Sequence, residues 1–150
     1  MERARDQEDE LKINPDEIAD RFIAAYNARH PDGVAELYAS DGWHADAVTG
    51  HRKVGPDAVG KGLTSFLSAV SDAYWAETGR IVAGREVLVL YELNGRLTGR
   101  LGPFDGAGQP VSLPGAFALS VAEDGQIASS VDYWNPEIFA CQIRQEGRQT

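Results

Sequence analysis

The chain has 150 residues, 43% of them apolar, with three Trp, a length and composition that suit one folded domain with a real core. Its 23 acids against 14 basic residues give a net charge of −9, which argues against nucleic acid or an anionic membrane as a partner, since both repel an acidic surface. Cys141 is the single cysteine, so no intrachain disulfide forms. No apolar run reaches bilayer length, and the stretch Glu2–Glu10 is charged where a signal sequence would be apolar; a cytoplasmic location is the simplest expectation.

Residues 1–13 read as a solvated tail. Asn14 then offers an N-cap, Pro15 a first helical position and Glu17 a capping-box partner. Ile18, Phe22 and Tyr26 follow at spacing four and form an apolar stripe for the core, from which the Tyr26 hydroxyl can also be offered to a ligand. His30-Pro31-Asp32-Gly33 breaks that helix, and a short second one is expected from about Asp32 to Tyr38. Ser40-Asp41-Gly42 reads as a turn and residues 43–48 as a short strand, with His44 and Asp46 on one face. His51 lies in a solvated loop. Pro56 and Asp57 open a third helix, in which Val59, Leu63, Phe66, Leu67 and Val70 keep helical spacing to about Asp72.

From Tyr74 the period changes to two. Strands are expected at about 74–83, 85–93, 95–101, 111–122 and 126–134, with turns at Gly84, Asn94-Gly95 and Asp124-Gly125 and a Gly/Pro-rich loop at 102–110. In the fourth of these, Val111, Leu113, Phe117, Leu119 and Val121 share one face. Helices followed by antiparallel strands predict an α+β domain, a cone-shaped curved sheet wrapped over three N-terminal helices, spanning 14–143 with a tail at 144–150. Such a sheet leaves a deep cavity, the default ligand site.

The chemistry concentrates at the ends of two strands. Ser130, Asp132 and Trp134 share a face, so an acid stands one step from a large aromatic ring. A carboxyl in an apolar pocket has a raised pKa and serves as a proton shuttle, whereas an exposed Asp near a strand end does nothing special; spacing alone leaves both readings open. Asp132 is the first candidate, Asp46 the second and His44 the third, because two carboxylates in different settings divide into acid and base and a His can relay the proton. Phosphate-loop, dinucleotide and nucleophile-elbow motifs are absent, and the His and Cys spacings do not suggest zinc.

The order of these elements resembles the nuclear transport factor 2-like superfamily, and within it the SnoaL-like polyketide cyclase group. The resemblance spans residues 15–143 and rests on Asn14-Pro15-Asp16-Glu17, Leu37-Tyr38-Ala39-Ser40-Asp41-Gly42, Gly95-Arg96-Leu97-Thr98-Gly99, Glu123-Asp124-Gly125-Gln126-Ile127 and Asp132-Tyr133-Trp134-Asn135 with Gln142 following. It implies a cone-shaped barrel with a deep pocket, commonly a homodimer through the outer sheet face, on which Val131 and Tyr133 would lie. Compared with ketosteroid isomerase relatives, Asp46 falls at the position of the general base, while the oxyanion-hole Tyr and protonated Asp fall at Phe22 and Phe117, so both donors are missing. Compared with limonene epoxide hydrolase relatives, Asp132 falls on a catalytic acid, but the required Arg-x-Asp is absent around Leu90–Arg96.

The SnoaL-like cyclases close rings by proton transfer without a cofactor. The expectation is therefore an acid–base enzyme needing no cofactor and no metal, acting on a small apolar or polyketide-like molecule by cyclisation or isomerisation. Asp132, Asp46 and His44 would be catalytic, and Phe22, Tyr26, Phe66, Tyr91, Phe117 and Trp134 would shape the pocket. Two alternatives stand beside it: a non-catalytic ligand-binding or dimeric interaction module of the same fold, and epoxide-hydrolase-like ring opening.

Overall fold

The computed structural model describes residues 14–149, and the expected tail at 1–13 lies outside them. The elements run α1 (Pro15–Asn27), α2 (Pro31–Ala35), β1 (Tyr38–Asp46), β2 (Arg52–Val54), α3 (Pro56–Ala69), β3 (Tyr74–Ala83), β4 (Glu86–Leu97), β5 (Gln109–Val121), β6 (Ile127–Trp134) and α4 (Pro136–Gln149). The six strands form one curved open sheet in the order β2-β1-β6-β5-β4-β3, an α+β architecture. Every junction is antiparallel except β1–β6, which is parallel. Parallel pairing needs a long connection, and here everything from β2 to β5 intervenes.

Helix α1 starts where the sequence marks it: the Asn14 side chain accepts from the backbone N–H of Asp16 and Glu17, at 3.1 and 3.4 Å. Its buried stripe is Ala19, Phe22, Ile23 and Tyr26. The helix lies over β3, β4 and β5, while α3 covers β1 and β2. Phe22, Phe117, Val89, Leu97 and Ile127 are among the fully enclosed residues of the core between them. Arg80 on β3 ties the helix to the sheet through Asp16 and Asp20, both at 2.7 Å, and it also holds Glu77 at 2.7 Å. Burial runs buried–exposed along β4 and β5, as expected for strands with one covered face.

Four local expectations are corrected. The second helix ends at Ala35, and Tyr38 already begins β1. Ser40-Asp41-Gly42 is an irregularity inside β1, where the register against β6 shifts, and not a turn that precedes the strand. Asn94-Gly95 does not turn: β4 runs through it, paired with Ser112 and Val111 of β5. The reason for a glycine there is a close approach, because a Cβ at 95 would stand 2.7 Å from Val70 Cγ1 and 3.1 Å from Asp72 Oδ1 at the end of α3. The same Asp72 oxygen accepts from the Arg96 backbone N–H at 2.9 Å, fixing the helix end on the strand. Finally, helix α4 follows β6 and runs through residues assigned to the tail, with Phe139 and Ile143 in the core.

Gly95→Val should therefore destabilise the domain by about 1–3 kcal/mol, the usual cost of forcing extra methyl groups into a packed core. The readout is the urea midpoint; an unchanged midpoint would show that the α3 terminus yields without cost.

Candidate functional site

The β1–β6 ladder assembles the site. Its parallel register sets His44 beside Ser130 and Asp46 beside Asp132. Because alternate residues of a strand share a face, all four side chains emerge together on the inner face of the sheet. Across the other edge of β6, Asp132 is paired with Phe117 and Trp134 with Gly115. The two acids, remote in sequence, are thus register neighbours.

Each carboxylate has its own donors. Tyr91 on β4 donates its phenol to Asp132 Oδ1 at 2.6 Å. To do so it crosses the whole width of β5, and it does so over Gly115, where any Cβ would overlap the Tyr91 hydroxyl. Asp46 is held on both oxygens, Oδ1 accepting from the Val48 N–H at 2.8 Å and Oδ2 from the Trp134 indole N–H at 3.0 Å. Among the described residues Asp132 Oδ2 takes no hydrogen bond, so it is the carboxylate oxygen left for another molecule.

Burial raises the pKa of Asp132 from 3.8 to about 7; the Tyr91 hydrogen bond pulls it back and the nearby Asp46 pushes it further up. Tyr91 is raised as well, by burial and then by the Asp132 charge, so the phenol keeps its proton and remains a donor. His44 moves the other way, from 6.5 down to about 4, because burial and Lys53 disfavour the imidazolium while Asp46 favours it. Its Nδ1 meets Ser130 Oγ at 2.6 Å, and Ser130 Oγ meets the Tyr38 hydroxyl at 2.5 Å. Ser130 and Tyr38 join the site without standing out in the sequence as site residues. Ser130 is legible as a face-mate of Asp132, whereas the sequence around Tyr38 reads as a helix end.

The aromatic residues expected around the site divide into two groups. Phe22, Tyr26, Tyr91 and Phe117 are buried and pack ring on ring, with centroids 4.7 Å apart for Phe22–Tyr26 and 4.9 Å for both Phe22–Phe117 and Tyr91–Phe117. Burial pushes the Tyr26 phenol up, and that ring also packs edge-on against Trp75. Phe66 and Trp134 are half-buried, against Trp75 and Phe139 respectively. No group of three or more His, Cys, Asp or Glu placed to hold a metal ion occurs among the described residues.

The two shifted groups act oppositely on stability. Asp132 holds a proton in the fold that the unfolded chain has released, so it makes stability fall as pH rises from 3.8 to about 7. His44 refuses a proton that the unfolded chain accepts, so it makes stability rise as pH climbs from about 4 to 6.5. Urea midpoints measured across that window should show Asp132→Asn gaining on the parent as pH rises. His44→Gln should lose ground to the parent over the same interval. Constant offsets for both variants would mean that neither group is perturbed.

A search of curated proteins finds no match. Solved structures with this architecture are numerous. A hypothetical protein with a ketosteroid isomerase-like fold from Catenulispora acidiphila DSM 44928, in complex with trimethylamine, aligns with a TM-score of 0.74 at 22% identity, covering 85% of this chain and 92% of its own. A candidate SnoaL-like polyketide cyclase from Shewanella denitrificans OS-217 gives 0.79 at 15% identity, covering 87% and 97%. A candidate polyketide cyclase from Xanthomonas campestris pv. campestris gives 0.78 at 24% identity, covering 86% and 96%. At these identities the likeness is one of fold. The family itself is shown by sequence: the model of the SnoaL-like domain matches residues 19–130, and the chain belongs to the SnoaL-like domain family, with the nuclear transport factor 2-like fold.

Proposed function

We propose that this protein is a cofactor-independent acid–base enzyme of the cytoplasm, which cyclises or isomerises a small apolar or polyketide-like molecule by proton transfer. The observation that carries the reading is Asp132: half-buried on an apolar sheet face, held on one oxygen by Tyr91, and free on the other. A general base works best with a pKa near the operating pH, and burial brings this carboxyl to about 7. Its Oδ2 would take a proton from a carbon next to a carbonyl, giving an enolate and a protonated Asp132. The same proton then returns to another carbon, which is isomerisation, or to the alkoxide formed when the enolate attacks a second carbonyl, which is ring closure. Both routes conserve all atoms of the substrate and need no oxidant or water. Asp46, engaged on both oxygens, would orient Trp134 beside the base. Phe66 and Trp134, both half-buried, would form the apolar walls, with the packed rings of Phe22, Tyr26, Tyr91 and Phe117 standing behind the site.

A non-catalytic ligand-binding module is the second reading, favoured by the Phe residues at 22 and 117, which offer no hydrogen bond to an enolate oxygen. Epoxide ring opening has less support, since no arginine pairs with Asp46 or Asp132 among the described residues. The reading also includes a homodimer through the outer sheet face, where Ile81, Leu90 and Tyr133 are exposed apolar side chains.

A bicyclic ketone with acidic α-protons, 2-tetralone, tests the chemistry through deuterium uptake in heavy water followed by NMR. The protein should accelerate exchange, with kcat/KM rising with pH up to about 7 as Asp132 loses its proton. Asp132→Asn should lower the rate by about 10²–10⁴-fold. Near-parental exchange in that variant, or binding of the ketone without any exchange, moves the protein to the module reading. Light scattering should return twice the 16.2 kDa chain mass, and a monomer at working concentration removes the dimer.

A further inference from the structure

The enolate in this mechanism needs a hydrogen-bond donor, and positions 22 and 117 supply none. We propose that the Tyr38–Ser130–His44 hydrogen-bond chain holds His44 as its neutral Nε2–H tautomer, so that His44 donates to the developing enolate oxygen while Asp132 moves the proton. The proposal rests on the acid–base reading and assigns His44 the role of donor, with Ser130 and Tyr38 as positioning residues.

The buried protons of this hydrogen-bond chain can be placed in only one way. Tyr38 and Ser130 are both buried, at 2% and 0% exposure, and a buried hydroxyl has to place its proton on an acceptor. Between them they have two hydroxyl protons and two contacts, Tyr38 to Ser130 and Ser130 to His44 Nδ1. Suppose Nδ1 carried the imidazole proton and donated to Ser130. Ser130 would then donate to Tyr38, and the Tyr38 proton would have no acceptor, because Ser130 is the sole side-chain or backbone partner of that hydroxyl among the described residues. The opposite direction satisfies every group: Tyr38 donates to Ser130, Ser130 donates to Nδ1, and Nδ1 accepts. A neutral imidazole that accepts at Nδ1 has its proton on Nε2.

Position gives that proton a use. His44 pairs in register with Ser130, and Asp46, two residues on, pairs with Asp132. His44 therefore stands on the same inner face, one pleat repeat from the carboxylate pair. Nε2 takes no partner among the described residues, so its N–H is left for a ligand. The charged neighbours are Asp46 on its own strand, Lys53 opposite on β2 and Asp132 on β6, with the Phe117 ring 6.5 Å away on β5. A neutral imidazole is a competent electrophile toward a developing oxyanion when its site keeps it uncharged. Fixing the tautomer in the resting protein removes the need to reorganise during the reaction.

Long-range ¹H–¹⁵N correlation spectra of ¹⁵N-histidine protein at neutral pH, without ligand, read the tautomer directly. The chain has three His, and loss of one signal in His44→Gln assigns it. The expected result is a single Nε2–H form for His44. Tyr38→Phe, which lets Ser130 either donate or accept, should raise the Nδ1–H population several-fold. A resting His44 with its proton on Nδ1, or one that is imidazolium, overturns the proposal whatever the activity. In 2-tetralone exchange, His44→Ala should lower kcat by about 10²–10³-fold, the usual loss of an oxyanion donor, with KM little changed. His44→Gln, whose amide N–H reaches the Nε2 position, should recover part of the loss. Parental kcat in His44→Ala overturns the donor role. Failure of the Asp132 base would appear instead as exchange that survives Asp132→Asn, with the tautomer result unaffected.

Discussion

The site depends on one pairing, the parallel contact of β1 with β6. Those strands lie more than 80 residues apart, and no local preference brings them together. What does so is the burial of Tyr38 and Ile127 against the rest of the core, together with a backbone ladder whose register is set once Tyr38 faces Ile127 and the irregularity at 40–42 has been accommodated. A slip of one residue would send every side chain of β1 to the opposite face. The register that buries the apolar side chains is the same one that sets Asp46 beside Asp132 and His44 beside Ser130.

Placing four polar groups on the covered face of a sheet is costly, since a buried polar group must be hydrogen-bonded and a buried charge must be compensated. The fold meets that cost with donors from elsewhere: Tyr91 from β4, Trp134 from β6 and the Val48 backbone just past β1. Tyr91 reaches its partner only because position 115 has no side chain. No buried side-chain polar atom among the described residues lacks a partner. What remains imbalanced is the charge on Asp132, which one hydrogen bond does not fully offset, and that imbalance is the basis of the proposed chemistry.

Much of this architecture can be read locally. The Asn14 cap, the stripe of α1, the alternation in β3 to β6 and the shared face of His44 with Asp46 all follow from period and capping. Other features follow from contacts distant in sequence. Asn94-Gly95 has the composition of a hairpin turn, yet the end of α3 needs the space over Gly95, and the strand continues. Tyr38 follows a helical stretch and reads as its end, and its hydroxyl acquires a role only when β6 arrives alongside. Two further features carry local signals. Asn135-Pro136-Glu137 repeats the start of α1, and the Asn135 side chain indeed accepts from the Glu137 N–H at 2.9 Å, with Phe139 and Ile143 following at helical spacing. Gly115, alone in the middle of an alternating strand, marks a close approach of another group.

A clamp of Asn27 on the backbone of Trp75 bears on how these molecules behave when crowded. β3 is the outermost strand on its side of the open sheet, and an open edge presents unpaired peptide groups that template the addition of foreign strands. At the C-terminal end of α1 the Asn27 carboxamide accepts from the Trp75 N–H at 2.7 Å and donates to the Trp75 carbonyl at 3.0 Å, so a side chain stands in for the next strand. Arg29 covers the Ala73 carbonyl just before it. Further along, the register irregularity at 77–79 and the charged cluster around Arg80 interrupt the same border. The helix that closes the core thus also blunts the sheet against amyloid-like recruitment of its own kind.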